Sequence, residues 1–172
     1  MKRVLGCEGA SEVQLLLALI KKGVLIFDKK EILDRRPIHF RQPREIAALI
    51  DTLPIDEEIV FYRIGDTQKD DYNLSCFSAR KDKISVVKVC TKPELEILII
   101  INEGLYSEYL KQKSKMMPKQ FVKIYVSGYT SFTDYLEKHD LRLAILEYKR
   151  LKKNEKDELF LADLIKKWDY KP

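Results

Sequence analysis

Residues 3–12, RVLGCEGASE, decide how the rest of the chain is read. Arg3 to Cys7 form a strand-like run that breaks at Glu8-Gly9, and an amphipathic stretch begins at once. There Val13, Leu16, Leu17 and Ile20 recur at helical spacing, so a helix is expected over residues 11–22, with Gly23 beyond its C-terminal end. A strand that turns directly into a helix opens an α/β unit. Glu8 and Glu12 stand at that turn, and two roles suit them. A carboxylate there can cap a helix, whose dipole favours negative charge. It can also bind a ligand at the carboxyl end of a strand.

Working outward, the same grammar recurs. Residues 25–27 read as a short strand and 29–35 as a charged helical turn before Pro37. A helix is expected over 43–53, with Ile46, Leu49 and Ile50 on one face and Pro54 beyond its end. Residues 58–64 alternate as a strand, Val60, Tyr62 and Ile64 against Ile59, Phe61 and Arg63. The polar TQKDDYN (67–73) leads towards a further strand at 83–90, with Ile84, Val86 and Val89 as core residues. A helix over 94–101 follows and ends before Gly104. The basic connection KQKSKMMPKQ (111–120) comes next, and residues 121–125 suit either a strand or a helical turn. Helices are expected over 131–147 and 158–168. The order points to an α/β fold, a small Rossmann-like sheet with flanking helices and a helical C-terminal extension. The expected organisation is a core over 1–108 with a basic extension, 109–172, packed on it.

The bulk composition agrees with one folded domain. The chain has 172 residues, 45% of them hydrophobic and 34% charged, which separates it from disordered proteins. No apolar run approaches the ~20 residues of a membrane helix, and Glu8 and Glu12 interrupt the first apolar run, against a signal peptide. Cys7, Cys76 and Cys90 show no CxxC spacing and fit reduced thiols in a cytoplasmic setting, packed as small apolar groups. Among them Cys7 adjoins Glu8 and a helix start, a place that can activate a thiol. His39, in a loop, and His139 have no metal-ligand spacing to a second histidine.

Acids recur at strand ends. Glu8 follows the strand at 3–7, Asp66 the strand at 58–64, and Glu94 and Glu96 the strand at 83–90. If these strands are parallel neighbours, the acids converge where ligands of open α/β sheets collect. Magnesium or manganese takes such oxygen ligands, with water and substrate phosphate completing its shell. Glu96 lies between Leu95 and Ile97, so if it faces inward it needs a partner. Asp66 after Gly65 also suits a plain turn, and Glu94 reads as a helix-start residue.

The motif Glu8-Gly9-x-x-Glu12 after a short hydrophobic strand resembles the first motif of TOPRIM domains, above all those of the OLD-family nucleases and RloB-like bacterial phage-defence proteins. The resemblance implies a metal ligand or general base at Glu8 and a second ligand at Glu12. RIGDTQKDD (63–71) stands where that family has Asp-x-Asp, which makes Asp66 the matching acid. KPELEILII (92–100) is similar to the Pro-x-x-Glu segment of the RloB-like group and makes Glu96 a third acid. The chain departs from the family at Thr67 and Gln68, where a second acid is expected; Asp70 reaches the site only if its loop curls back. Catalytic Glu8, Asp66 and Glu96 are thus expected, with Glu8, Glu12, Asp66 and Asp70 around Mg2+ or Mn2+. The resemblance further implies a larger partner such as an ATPase, since the chain has no GxxxxGK[ST] loop of its own.

Charge points to the other half of the reading. Residues 1–108 carry 17 basic and 18 acidic side chains, whereas 109–172 carry 15 and 9. This asymmetry suits an anionic partner. Lys111, Lys113, Lys115 and Lys119, interleaved with aromatic residues, are candidate nucleic-acid contacts, together with Arg63 and Lys92 nearer the acids. A solvated helix edge is the plainer account of the same lysines. The leading expectation is a metal-dependent nuclease acting in anti-phage defence. The alternatives are an inactive module of that shape that binds protein or nucleic acid, and a phosphatase or transferase working at the same crevice. A homo-oligomer is compatible with all three.

Overall fold

The computed structural model describes residues 1–40, 43–66, 75–92, 94–152 and 159–166. Strand β1, Lys2–Cys7, pairs in parallel with β3, Ile59–Gly65, from Lys2 opposite Ile59 to Cys7 opposite Ile64. Strand β4, Ile84–Cys90, lies on the other side of β3, again parallel. The two-residue strands β2, Ile38–His39, and β5, Leu159–Phe160, close the edges and give the order β2-β1-β3-β4-β5, parallel throughout. This is an α/β Rossmann-like sheet. Its path runs outward from β1 to β2 and returns past β1 to β3, so the direction of winding switches between β1 and β3.

Both faces of the sheet are covered, as an all-parallel sheet requires. On one face Val4, Ile38, Ile59, Phe61 and Ile84 pack against Ile46 and Ile50 of helix α2, Pro43–Asp51. On the other, Leu5, Cys7, Ile64 and Val89 pack against helix α1, Ala10–Lys21, and helix α3, Glu96–Asn102. This larger core also takes in Tyr109 of α4, Tyr106–Gln112; Phe121 and Val122 of α5, Pro118–Tyr125; Tyr135 of α6, Phe132–Lys138; and Ile145 and Tyr148 of α7, Arg142–Leu151. Residue 108 falls within α4, and the segment beyond it supplies both core residues and the edge strand β5. Among the described residues no helix is long and apolar enough to cross a membrane.

Several local expectations change. In α1 the buried face is Leu15, Leu16, Leu19 and Ile20, while Leu17 is exposed, because a run of leucines offers more than one apolar stripe and packing chooses. Gly23 takes φ +65 after α1 and its N–H donates to the Ile20 carbonyl, the left-handed closure that favours glycine. Residues 25–27 form no strand; Leu25 makes one antiparallel bridge to Ile165. His39, expected in a loop, lies in β2. The ambiguous 121–125 run is helical, with Pro118 at the first turn of α5. The single helix expected over 131–147 is two, since the Asp140 carboxylate accepts from the Arg142 N–H and starts α7 afresh. Within the helix expected over 158–168, Leu159–Phe160 instead pair with the open edge of β4, and a 3₁₀ turn, Leu161–Leu164, follows. Asp70 and the rest of the polar stretch 67–73 lie outside the described residues.

Phe61 is fully buried at the centre of the smaller core. Phe61→Ala is expected to cost about 3–5 kcal/mol, measured as a lower urea midpoint with an unchanged slope.

Candidate functional site

The sheet's hydrogen-bond ladder continues past the strand ends and carries the site with it. The Glu8 N–H donates to the Ile64 carbonyl at 2.9 Å, and the Thr91 N–H donates to the Gly65 carbonyl at 3.0 Å. With Cys7 opposite Ile64 and Gly65 opposite Cys90, the next residues along, Glu8, Asp66 and Thr91, emerge side by side at the winding switch and its neighbouring strand. Glu8 Oε2 accepts from the Asp66 N–H at 3.1 Å. That contact depends on Gly65: a Cβ there would lie 2.8 Å from the Glu8 Cβ and would collide with its carboxylate. The glycine lets the side chain of Glu8 lie flat across the end of β3.

Helix α1 adds Glu12. Gly9 is its N-cap in extended conformation, and Glu12 falls in the first turn, half-buried, where Glu12 Oε1 accepts from the Thr91 hydroxyl at 3.4 Å. Burial holds the Glu12 carboxyl above the usual range, and the nearby charge of Glu8 raises it further, against the hydrogen bonds that lower it. The neighbouring Cys7 is fully buried, and burial, with Glu12 adding to it, pushes its thiol up. Cys7 is therefore a packing group, not an activated thiol.

A further acid pair comes from the start of α3, Glu96, and from Glu94 just before it. Glu96 is 7% exposed. Burial raises its carboxyl, Glu94 adds to the shift, and Lys119 and Lys123 oppose it. Glu94 Oε2 accepts from the Lys119 N–H at 3.0 Å, joining the start of α5 to this end of the sheet.

One open cleft results, lined by Glu8, Gly9, Ser11, Glu12, Asp66, Thr91, Glu94, Leu95, Glu96 and Lys119. It brings together the expected acids Glu8, Glu12, Asp66 and Glu96 and one expected lysine, Lys119. Lys92 is half-buried beside it, its carbonyl accepting from the Tyr148 hydroxyl. Lys111, Lys113 and Lys115 are exposed on α4 and the turn after it and do not line the cleft. Arg63 is not brought there either: it is 5% exposed, its guanidinium 5.1 Å over the Phe40 ring. Sequence reasoning missed Thr91 and set Glu94 aside. The signal for Thr91 was its position, the first residue after a strand whose neighbours also end in cleft residues.

Among the described residues no three His, Cys, Asp or Glu side chains form a ready-made metal cage. The candidate ligand groups that converge are all oxygen, carboxylates with the hydroxyls of Ser11 and Thr91, which is the set a hard divalent cation takes together with water. Burial of Glu12 and Glu96, with the charge of Glu8 beside the first and of Glu94 beside the second, is a cost that a cation would offset. No protein-family model, curated protein or solved structure matches the chain.

Two outcomes follow from this geometry. Gly65→Ala displaces the Glu8 carboxylate and is expected to lower stability by about 1–3 kcal/mol, read by denaturant unfolding. Glu12 behaves differently, because its folded pKa lies above the ordinary 4.5. The penalty of ionising it in the fold is absent below that value and grows as pH rises through the folded pKa. Glu12→Gln should therefore raise the thermal midpoint at pH 7 in EDTA, with the gain disappearing below about pH 4.5.

Proposed function

We propose that the acidic cleft takes Mg2+ or Mn2+ and that the protein hydrolyses phosphodiester bonds of nucleic acid. The observation that carries this reading is the meeting of Glu8 and Asp66 at the winding switch, locked by the Asp66 N–H to Glu8 contact, with Glu12 beside them. Glu8, Glu12 and Asp66 hold the ion, and Asp70 joins them in the sequence-based set. When bound, the ion supplies charge neutralisation at the phosphate and an oriented water. The protein's own residues do the rest. Thr91 orients Glu12 through its hydroxyl, Glu96 supports the acid cluster from α3, and Lys119 offers positive charge to a phosphate entering the cleft. The resemblance to TOPRIM domains of OLD-family and RloB-like proteins extends the reading to phage defence in the cytoplasm, beside a larger ATPase.

A second reading is favoured by one sequence fact: Thr67 and Gln68 follow Asp66 where the family has its second acid. The protein is then a binding module of the same shape, without hydrolysis. Manganese titration by calorimetry separates the two. The wild type is expected to bind the ion and Glu8→Gln/Asp66→Asn is not, while Glu8→Gln alone abolishes manganese-dependent cleavage and keeps the circular-dichroism spectrum. Cleavage by Glu8→Gln at the wild-type rate would overturn the nuclease reading.

A further inference from the structure

The surface formed by α4, α5 and the turn between them is distinct from the acid cleft and touches it at one point. Residues 106–125 carry five lysines, Lys111, Lys113, Lys115, Lys119 and Lys123, against one acid, Glu108. All five are exposed. Some lysines elsewhere are paired, such as Lys22 with Asp140 and Lys138 with Asp134, and none of these five forms an ion pair among the described residues. Lys119 and Lys123 bear on Glu96 only at longer range. Unneutralised cations in this density favour an anionic partner.

The same surface holds a fixed aromatic platform. Tyr125 is 46% exposed. Its ring stacks on the buried Phe121 with centroids 4.4 Å apart, and its hydroxyl both donates to and accepts from the Gln112 side-chain amide. The ring is thus held from below and at its tip, at little further ordering cost on binding. Ile124, next to it in the chain, and Met117, at the other end of α5, are exposed by 65% and 48%. Apolar and aromatic groups held open among lysines offer nothing to a duplex, whose bases are stacked away inside. They suit unpaired bases, which stack on aromatic faces while phosphates meet lysines. Lys119, at the start of α5, belongs both to this surface and to the cleft lining.

We infer that α4 and α5 form a binding ramp for single-stranded nucleic acid, with Tyr125 as a base-stacking platform and Lys119 leading the strand into the acid cleft. This rests on the nucleic-acid part of the proposed function and not on the metal. Fluorescence anisotropy in EDTA tests it, using labelled oligothymidine of about 15 nucleotides, near the upper end of single-strand site sizes, and a duplex of equal length. The wild type should bind the single strand more tightly than the duplex. Tyr125→Leu should weaken single-strand binding about 5- to 150-fold and leave duplex binding unchanged, whereas Tyr125→Phe keeps the ring and the affinity. Lys111→Gln/Lys115→Gln, at exposed positions that leave the core intact, should reduce the log–log salt slope by about 1.4. Equal binding of duplex and single strand, no effect of Tyr125→Leu in a variant with wild-type circular dichroism, or no binding by the wild type would each overturn the ramp. Because no metal is present, any of these leaves the manganese titration to judge the cleft on its own.

Discussion

The parallel pairing of β1 with β3 is the constraint on which the rest of the structure depends. Its register sets Cys7 against Ile64, so that the next residues on each strand, Glu8 and Gly65-Asp66, emerge together. The same pairing divides the core: Val4 and Phe61 go to one face, Leu5 and Ile64 to the other. A slip of one residue would exchange the faces and part Glu8 from the Asp66 N–H. Gly65 is the complement to that register, since a larger residue would occupy the space through which the Glu8 side chain crosses β3.

Around this pair the molecule accumulates carboxylates that a structure built only for stability would avoid. Glu12 and Glu96 are both held above their ordinary range by burial, each with another acid beside it. Residual charge is partly offset by Lys119 and Lys123 from α5, whose fit against α3 relies on the buried Phe121 and Val122. The C-terminal third is therefore part of the site's support: it covers one sheet face, supplies β5, and sets the start of α5 beside the start of α3 through the Lys119 N–H to Glu94 contact.

How much of this was legible in the sequence follows from the range of each interaction. The strand–turn–helix at Glu8, the strands at β3 and β4 and the acids after them are local patterns, and they could be read because apolar alternation and turn residues act within a few positions. Pro118 at the start of α5 is an equally local signal, but reading 111–120 as a connection passes over it, and the five-residue run 121–125 leaves strand and helix both open. The Rossmann-like class follows from the order of these elements.

Other features belong to tertiary structure alone. Strand order decided that the ends of β1, β3 and β4 are neighbours, and so turned scattered acids into a cleft. Two-residue strands such as Ile38–His39 and Leu159–Phe160 carry no periodicity; they exist because an exposed sheet edge offers unpaired N–H and C=O groups. Packing against the sheet selected Leu15 and Leu19 over Leu17 in α1 and set the buried Arg63 guanidinium over Phe40 and not in the cleft lining. Thr91 gained its role only when its hydroxyl met Glu12, 79 residues away. By itself, then, the sequence determined the three long strands, the helices α1 to α3 and the chemistry at the strand ends, because local propensity and side-chain type need no partner. The tertiary structure decided which ends meet, because strand pairing and burial are contacts between residues that the chain keeps far apart.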